Sequence, residues 1–262
     1  MHRTPLDRPP RPVLLVVAHG SRDPRHAETV HALVRAVRTL RPGLRVESSF
    51  LDFNAPTVSG VLERLAAEGV RDVVALPLLL TRAFHAKTDI PAVLRAAPAC
   101  LRIRQAAVLG PSPLLLGALE QRLYEAGLSP ADKSSTGVVL ASAGSSDPEA
   151  IAVIAEIARE WRLTGWCAVR PAFASASLPR TADAVRALRD EPGVRRVAVA
   201  PYVLAPGRLP DRIARGAADA DVLADVLGAA PAVARLLVRR YEEAYARGDS
   251  PVAPLARIPA LA

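Results

Sequence analysis

The sequence predicts two similar α/β domains, each a doubly wound parallel sheet, with a cleft between them. Three observations carry that prediction. Apolar β-rich runs alternate with segments of helical period along nearly the whole chain, the pattern of parallel strands joined by crossover helices. The alternation breaks at the polar, Gly- and Pro-containing stretch Gly127–Thr136 and then restarts. Finally, Val17-Ala18-His19-Gly20-Ser21-Arg22-Asp23-Pro24 returns as Ala141-Ser142-Ala143-Gly144-Ser145-Ser146-Asp147-Pro148. The copies keep glycine, serine, aspartate and proline but not the histidine.

Each element follows from its own pattern. Val13–Ala18 is an unbroken apolar run, as a strand covered on both faces should be. Pro24–Leu40 carries Val30, Leu33, Val34 and Val37 at helical spacing. Arg45–Leu51 then reads as a strand, Pro56–Glu68 as a helix and Asp72–Leu78 as a strand. Asp89–Ala96 is a helix, Leu101–Leu109 a strand and Pro113–Ala126 a helix. After the linker come strand Gly137–Ala141, helix Pro148–Trp161, strand Cys167–Phe173 and helix Arg180–Arg189. Strand Val194–Tyr202, helix Pro210–Ala218, strand Val222–Leu227 and helix Ala232–Ala246 complete the second half. Leu76-Pro77 matches Ala200-Pro201, and Val108-Leu109-Gly110 matches Val226-Leu227-Gly228. The domains are therefore placed at 12–128 and 137–248. Residues 1–11, basic and Pro-rich, are expected to form a disordered arm, and 249–262 a fraying tail.

Composition narrows the function. The net charge of +8 is almost all arginine, since Lys87 and Lys133 are the only lysines. No dense basic run or nucleic-acid motif accompanies it, and aromatics at 4% are too scarce for a base-stacking platform. Scattered arginines suit recognition of carboxylates, and equally suit a plain Arg-, Ala- and Pro-rich composition. Cys100 and Cys167 are far apart and in no metal or redox spacing, as for thiols of a reducing compartment. The first apolar run is too short for a secretion signal or a membrane span, so a cytoplasmic protein without membrane partners is expected. No phosphate-binding loop of the Walker type is present.

Ligands of open parallel sheets bind beyond the carboxyl ends of the strands. Three titratable side chains of the first half fall there: His19 after the first strand, Asp52 after the second and His85 in the loop after the third. Two imidazoles and a carboxylate could hold a divalent transition metal or move protons near neutral pH. Taken singly, each has a bland reading: a hydrogen-bonded loop histidine, or an aspartate capping the next helix. The positions matching them are Ala143, Ser175 and Leu209, so the constellation vanishes as a set while the fold signals persist. The same comparison demotes Asp23-Pro24, which Asp147-Pro148 preserves and which an N-cap followed by proline explains. Gly20 and Ser21, kept as Gly144 and Ser145, are assigned to the turn. Asp89 is expected to be an N-cap, and His26 and His31 solvated surface. Arg22, Arg82, Lys87 and Arg208 lie in strand-end loops, where they would either clamp an acidic substrate or be ordinary surface.

With Ala18-His19-Gly20-Ser21-Arg22-Asp23-Pro24 and Pro77 through Phe84-His85-Ala86-Lys87-Thr88-Asp89-Ile90-Pro91 in view, the chain resembles sirohydrochlorin chelatases of the CbiX/SirB type. Phe50-Leu51-Asp52 is similar to the segment carrying that family's acid, usually a glutamate; aspartate keeps the charge with a shorter reach. The resemblance implies the class II chelatase fold and insertion of Fe2+ or Co2+ into sirohydrochlorin, for sirohaem or cobalamin biosynthesis. It implies metal binding and proton abstraction by His19 and His85, assisted by Asp52, with no cofactor beyond the substrate metal. Two fused copies point to a monomer whose cleft lies between its own halves. A non-catalytic metal or tetrapyrrole carrier, and a 2-His-1-carboxylate iron oxygenase, are the alternatives.

Overall fold

Val13–Ala18 (β1) is buried along its whole length and lies between two parallel neighbours, as its unbroken apolar pattern requires. The computed structural model describes residues 11–81 and 88–247. From β1 the chain runs through α1 (Pro24–Leu40), β2 (Val46–Phe50), α2 (Val58–Ala67), β3 (Asp72–Pro77), α3 (Asp89–Arg95), β4 (Arg102–Gln105) and α4 (Pro113–Glu125). The second half repeats this with β5 (Thr136–Ser142), α5 (Pro148–Arg162), β6 (Ala168–Phe173), α6 (Thr181–Arg189), β7 (Arg196–Tyr202), α7 (Arg208–Gly216), β8 (Val222–Leu223) and α8 (Pro231–Ala246). The sheets have the orders β2-β1-β3-β4 and β6-β5-β7-β8, one topology twice. The expected arm and tail, save Arg11, lie outside the described residues.

Outer and inner faces of the sheets are covered differently. The outer face of the first sheet packs on α2 and α3, that of the second on α6 and α7. The inner faces share one continuous core with α1, α4, α5 and α8. Within it the last helix of each half crosses to the other: α4 packs on β7, while α8 packs on α1, β3 and β4. Polar contacts fix the crossing. The Tyr241 hydroxyl donates to the Pro12 carbonyl at 2.9 Å, Arg240 donates to the carbonyls of Val108 and Leu109, and Arg122 donates to that of Leu227. The halves thus share one hydrophobic core.

Several elements are shorter than the sequence suggests. β4 stops at Gln105 rather than Leu109, and β8 at Leu223 rather than Leu227. Each is an edge strand whose sole neighbour reaches a proline, Pro77 in β3 and Pro201 in β7, which has no N–H to continue the ladder. The linker contains a 3-10 turn, Pro130–Ser135, opened by Asp132, whose carboxylate accepts from both the N–H and the hydroxyl of Ser129 at 2.7 Å. Asp89 does not cap α3; Thr88 occupies that position and Asp89 supplies charge to the first turn.

Candidate active site

The strand ends of the two halves share one backbone frame. Gly20 has φ +95° and Gly144 φ +89°, a conformation that L side chains rarely adopt. Ser21 Oγ accepts from the Asp23 N–H at 3.1 Å, and Ser145 Oγ from the Asp147 N–H at 3.0 Å. Asp23 and Asp147 then cap α1 and α5 by accepting from the N–H groups of Arg25 and Glu149. The His19 carbonyl accepts from the Asp52 N–H at 2.9 Å, and the Ala143 carbonyl from the Ser175 N–H at 3.0 Å. Even the turn beyond is duplicated, with Phe53 at φ 63° and Ala176 at φ 59°. What differs is the side chains the frame carries.

Between the two frames lies a cavity of about 430 Å3, lined from both halves. Its walls are mostly apolar, with Val30 and Leu33 of α1 facing Ile151 and Ile154 of α5. His19 enters from the first half with its Nδ1 sheltered from solvent, and its ring meets that of Phe53 edge-on at 6.3 Å. Asp52 is tied to His19 through the backbone, but its carboxylate is exposed and outside the cavity lining. It does not cap the following helix, a task done by Thr57, whose Oγ1 accepts from the Gly60 N–H. Arg22 is exposed and outside the cavity lining, next in sequence to Ser21, which lines it, and its guanidinium carbon is 5.4 Å from the Phe53 ring centroid. Arg208 lines the cavity as the first residue of α7, which starts two positions before the expected Pro210. His85, Arg82 and Lys87 lie outside the described residues. Among the described residues, no three His, Cys, Asp or Glu side chains are grouped to hold a metal ion.

Reasoning from sequence missed three residues that line this cavity, His26, Ser142 and Tyr202, and one that packs on its histidine, Phe53. His26 is not solvated surface: it is half-buried, lines the cavity and shelters its Nδ1, with its ring 6.4 Å from that of Phe50. His31 is likewise half-buried, edge-on to Phe50 at 5.9 Å. The signal for His26 was available, because its counterpart seven residues after Ala143 is Ala150, which lines the same cavity. Ser142 and Tyr202, neighbours in the β5–β7 ladder, bring two buried hydroxyls that have no hydrogen-bond partner among the described residues. Burial pushes the Tyr202 phenol up, so it stays protonated. Phe53, 59% exposed, lies outside the lining but against the ring of His19, which is part of it.

Burial holds the His26 pKa below its ordinary value of 6.5, helped by the charge of His19 and opposed by Asp23. The unfolded chain therefore takes up the extra proton first. Stability from this group is complete above the unfolded value of 6.5 and is lost as the pH falls through the folded value. In urea titrations stepped downward from pH 6.5, where the unfolded chain is protonated before the folded one, His26→Ala is expected to show a shallower acid-side loss of stability than the wild type. Equal slopes would refute it.

Comparison with known proteins gives a consistent picture. The CbiX family profile matches residues 13–126 and 137–244, once for each half. A sirohydrochlorin cobaltochelatase of Priestia megaterium is 31% identical over 212 residues, covering 76% of this chain and 66% of that protein. A sirohydrochlorin ferrochelatase of Bacillus subtilis (strain 168) is 29% identical over 208 residues, 77% of each chain. The structure of SirB from Bacillus subtilis with Fe3+ superposes with a TM-score of 0.77 at 26% identity, over 90% of this chain and 96% of that one.

Proposed function

This chain belongs to the CbiX family, and from that premise we propose that it inserts a divalent metal ion, Fe2+ or Co2+, into sirohydrochlorin. The observation that carries the reading is the lopsided cleft: one backbone frame, built twice, presents His19 to the cavity from one half and Ala143 from the other. A fold that needed the imidazole would have kept it in both copies.

Insertion exchanges two pyrrole N–H protons for the metal ion, so the site must present the ion and accept protons in turn. A neutral imidazole does either at pH 7. His19 and His85 are assigned these roles, with Asp52 beside His19 as the assisting acid. Few protein ligands favour the task, because a closed tetrahedral set would retain the ion. The apolar walls suit the faces of the macrocycle, and Arg208 in the lining and Arg22 beside it suit its carboxylates, with Arg82 and Lys87 as further candidates. One chain supplies both walls, which supports a monomeric working unit. Work in the cytoplasm belongs to the same proposal and agrees with two free cysteines and with the lack, among the described residues, of any helix long and apolar enough to cross a membrane.

The test is anaerobic mixing of metal-free sirohydrochlorin with Co2+ or Fe2+, followed by absorbance. Catalytic amounts of the protein are expected to speed the conversion over several turnovers. A carrier would bind the macrocycle and leave the rate at its uncatalysed value, and that result would overturn the proposal.

A further inference from the structure

We propose that Phe53 is a positioning residue for substrate recognition: its ring seats the Arg22 guanidinium beside His19, where the cation meets a carboxylate on the rim of the tetrapyrrole. The inference rests on the chelatase reading and extends it to a subsite. Three observations on Phe53 and its neighbours carry it.

The first is that the fold has no use for the ring. Position 53 sits in a turn with φ 63°, and the same turn in the second half, at φ 59°, is served by Ala176. Alanine therefore suffices for the backbone. Phe53 is also 59% exposed, so it adds little to the core.

The second concerns what the ring touches. Its centroid lies 5.4 Å from the Arg22 guanidinium carbon and 6.3 Å from the His19 ring, which it meets at 77°. A cation over an aromatic face is attracted by the ring quadrupole and loses little hydration there. Arg22 has no ion-pair or hydrogen-bond partner among the described residues. The planar five-donor fork of Arg22 is thus held in place yet left open to a bidentate acceptor.

The third is the internal control. His19, Arg22 and Phe53 correspond to Ala143, Ser146 and Ala176. The three partners are lost together in the half whose frame is otherwise the same, as expected of parts of one site. Since the polar groups on the rim of the macrocycle are carboxylates, an exposed guanidinium one residue from the lining Ser21 is matched to them.

The experiment titrates metal-free sirohydrochlorin into wild type, Phe53→Ala, Phe53→Trp, Arg22→Ala and the Phe53→Ala/Arg22→Ala pair, with steady-state kinetics beside it. Phe53→Ala is expected to bind about three- to fivefold more weakly, the range of an exposed cation–π contact. It should raise KM by a similar factor, leave kcat in place and keep the wild-type melting temperature. Phe53→Trp should bind as the wild type does. Arg22→Ala should lose at least as much, and adding Phe53→Ala to it should cost nothing more. Should Phe53→Ala melt early, Phe53→Leu takes its place with the same loss expected. Additive losses, a tryptophan variant as weak as the alanine one, or a fall in kcat at constant KM would each overturn the proposal. Equal binding by wild type and Phe53→Ala would sink this subsite alone. A wild type that does not bind sirohydrochlorin would sink the chelatase reading with it.

Discussion

Replacing His19 with alanine is expected to lower kcat/KM for metal insertion by about two orders of magnitude or more, the range for removing a positioned acid–base group, while leaving the fold intact. Both halves of that expectation come from the repeat. In the second half the same backbone turn carries Ala143, with the Ser175 N–H donating to its carbonyl at 3.0 Å, against 2.9 Å for Asp52 and His19. The frame is therefore satisfied by an alanine, and the variant should melt within a few degrees of the wild type. The chemistry is not so served, because the matching position across the cavity offers no nitrogen to hold an ion or take a proton. Anaerobic initial rates with Co2+ and Fe2+ check the loss, and a thermal melt of the same preparation checks the fold. Undiminished turnover by a folded His19→Ala would remove this imidazole from the mechanism.

How much of this was legible in the sequence depends on the range of the interaction. β1 and β5 were readable because a strand buried on both faces shows no alternation, and α1 because Val30, Leu33, Val34 and Val37 fall on one stripe. That His19 is dispensable to the turn was readable because the copy replaces it, and its ring does line the cavity. The premature ends of β4 and β8 were not, since they depend on Pro77 and Pro201 in neighbouring strands, remote in sequence. Nor was the crossing of α4 and α8: each helix is amphipathic in the same way whichever sheet it covers, and periodicity does not name the partner. His26 reads as surface from its helix alone, where it has no histidine partner at i, i+4 spacing. Its counterpart Ala150, like Ala143, would have flagged it.

The frame itself gives the largest expected effect on stability. A Cβ at Gly20 would lie 1.8 Å from the Asp52 carbonyl oxygen, and one at Gly144 1.9 Å from that of Ser175. These are backbone atoms of the adjoining strand-end turn, so no side-chain rotation relieves the overlap, and the positive φ adds strain of its own. Gly20→Ala and Gly144→Ala are each expected to destabilise the protein by about 3 kcal/mol or more in urea unfolding. Gly117 in α4 is the control: nothing lies within 4 Å of its built Cβ, and Gly117→Ala should stabilise by roughly 1 kcal/mol. The two frame variants should then part company in the assay. At a temperature where both remain folded, Gly20→Ala displaces His19 and Asp52 together and should lose most of its turnover. Gly144→Ala displaces only Ala143 and Ser175 and should retain most. If Gly144→Ala were instead as stable as the wild type, the second glycine would be ornament, and the repeat would no longer separate what the fold requires from what the site requires.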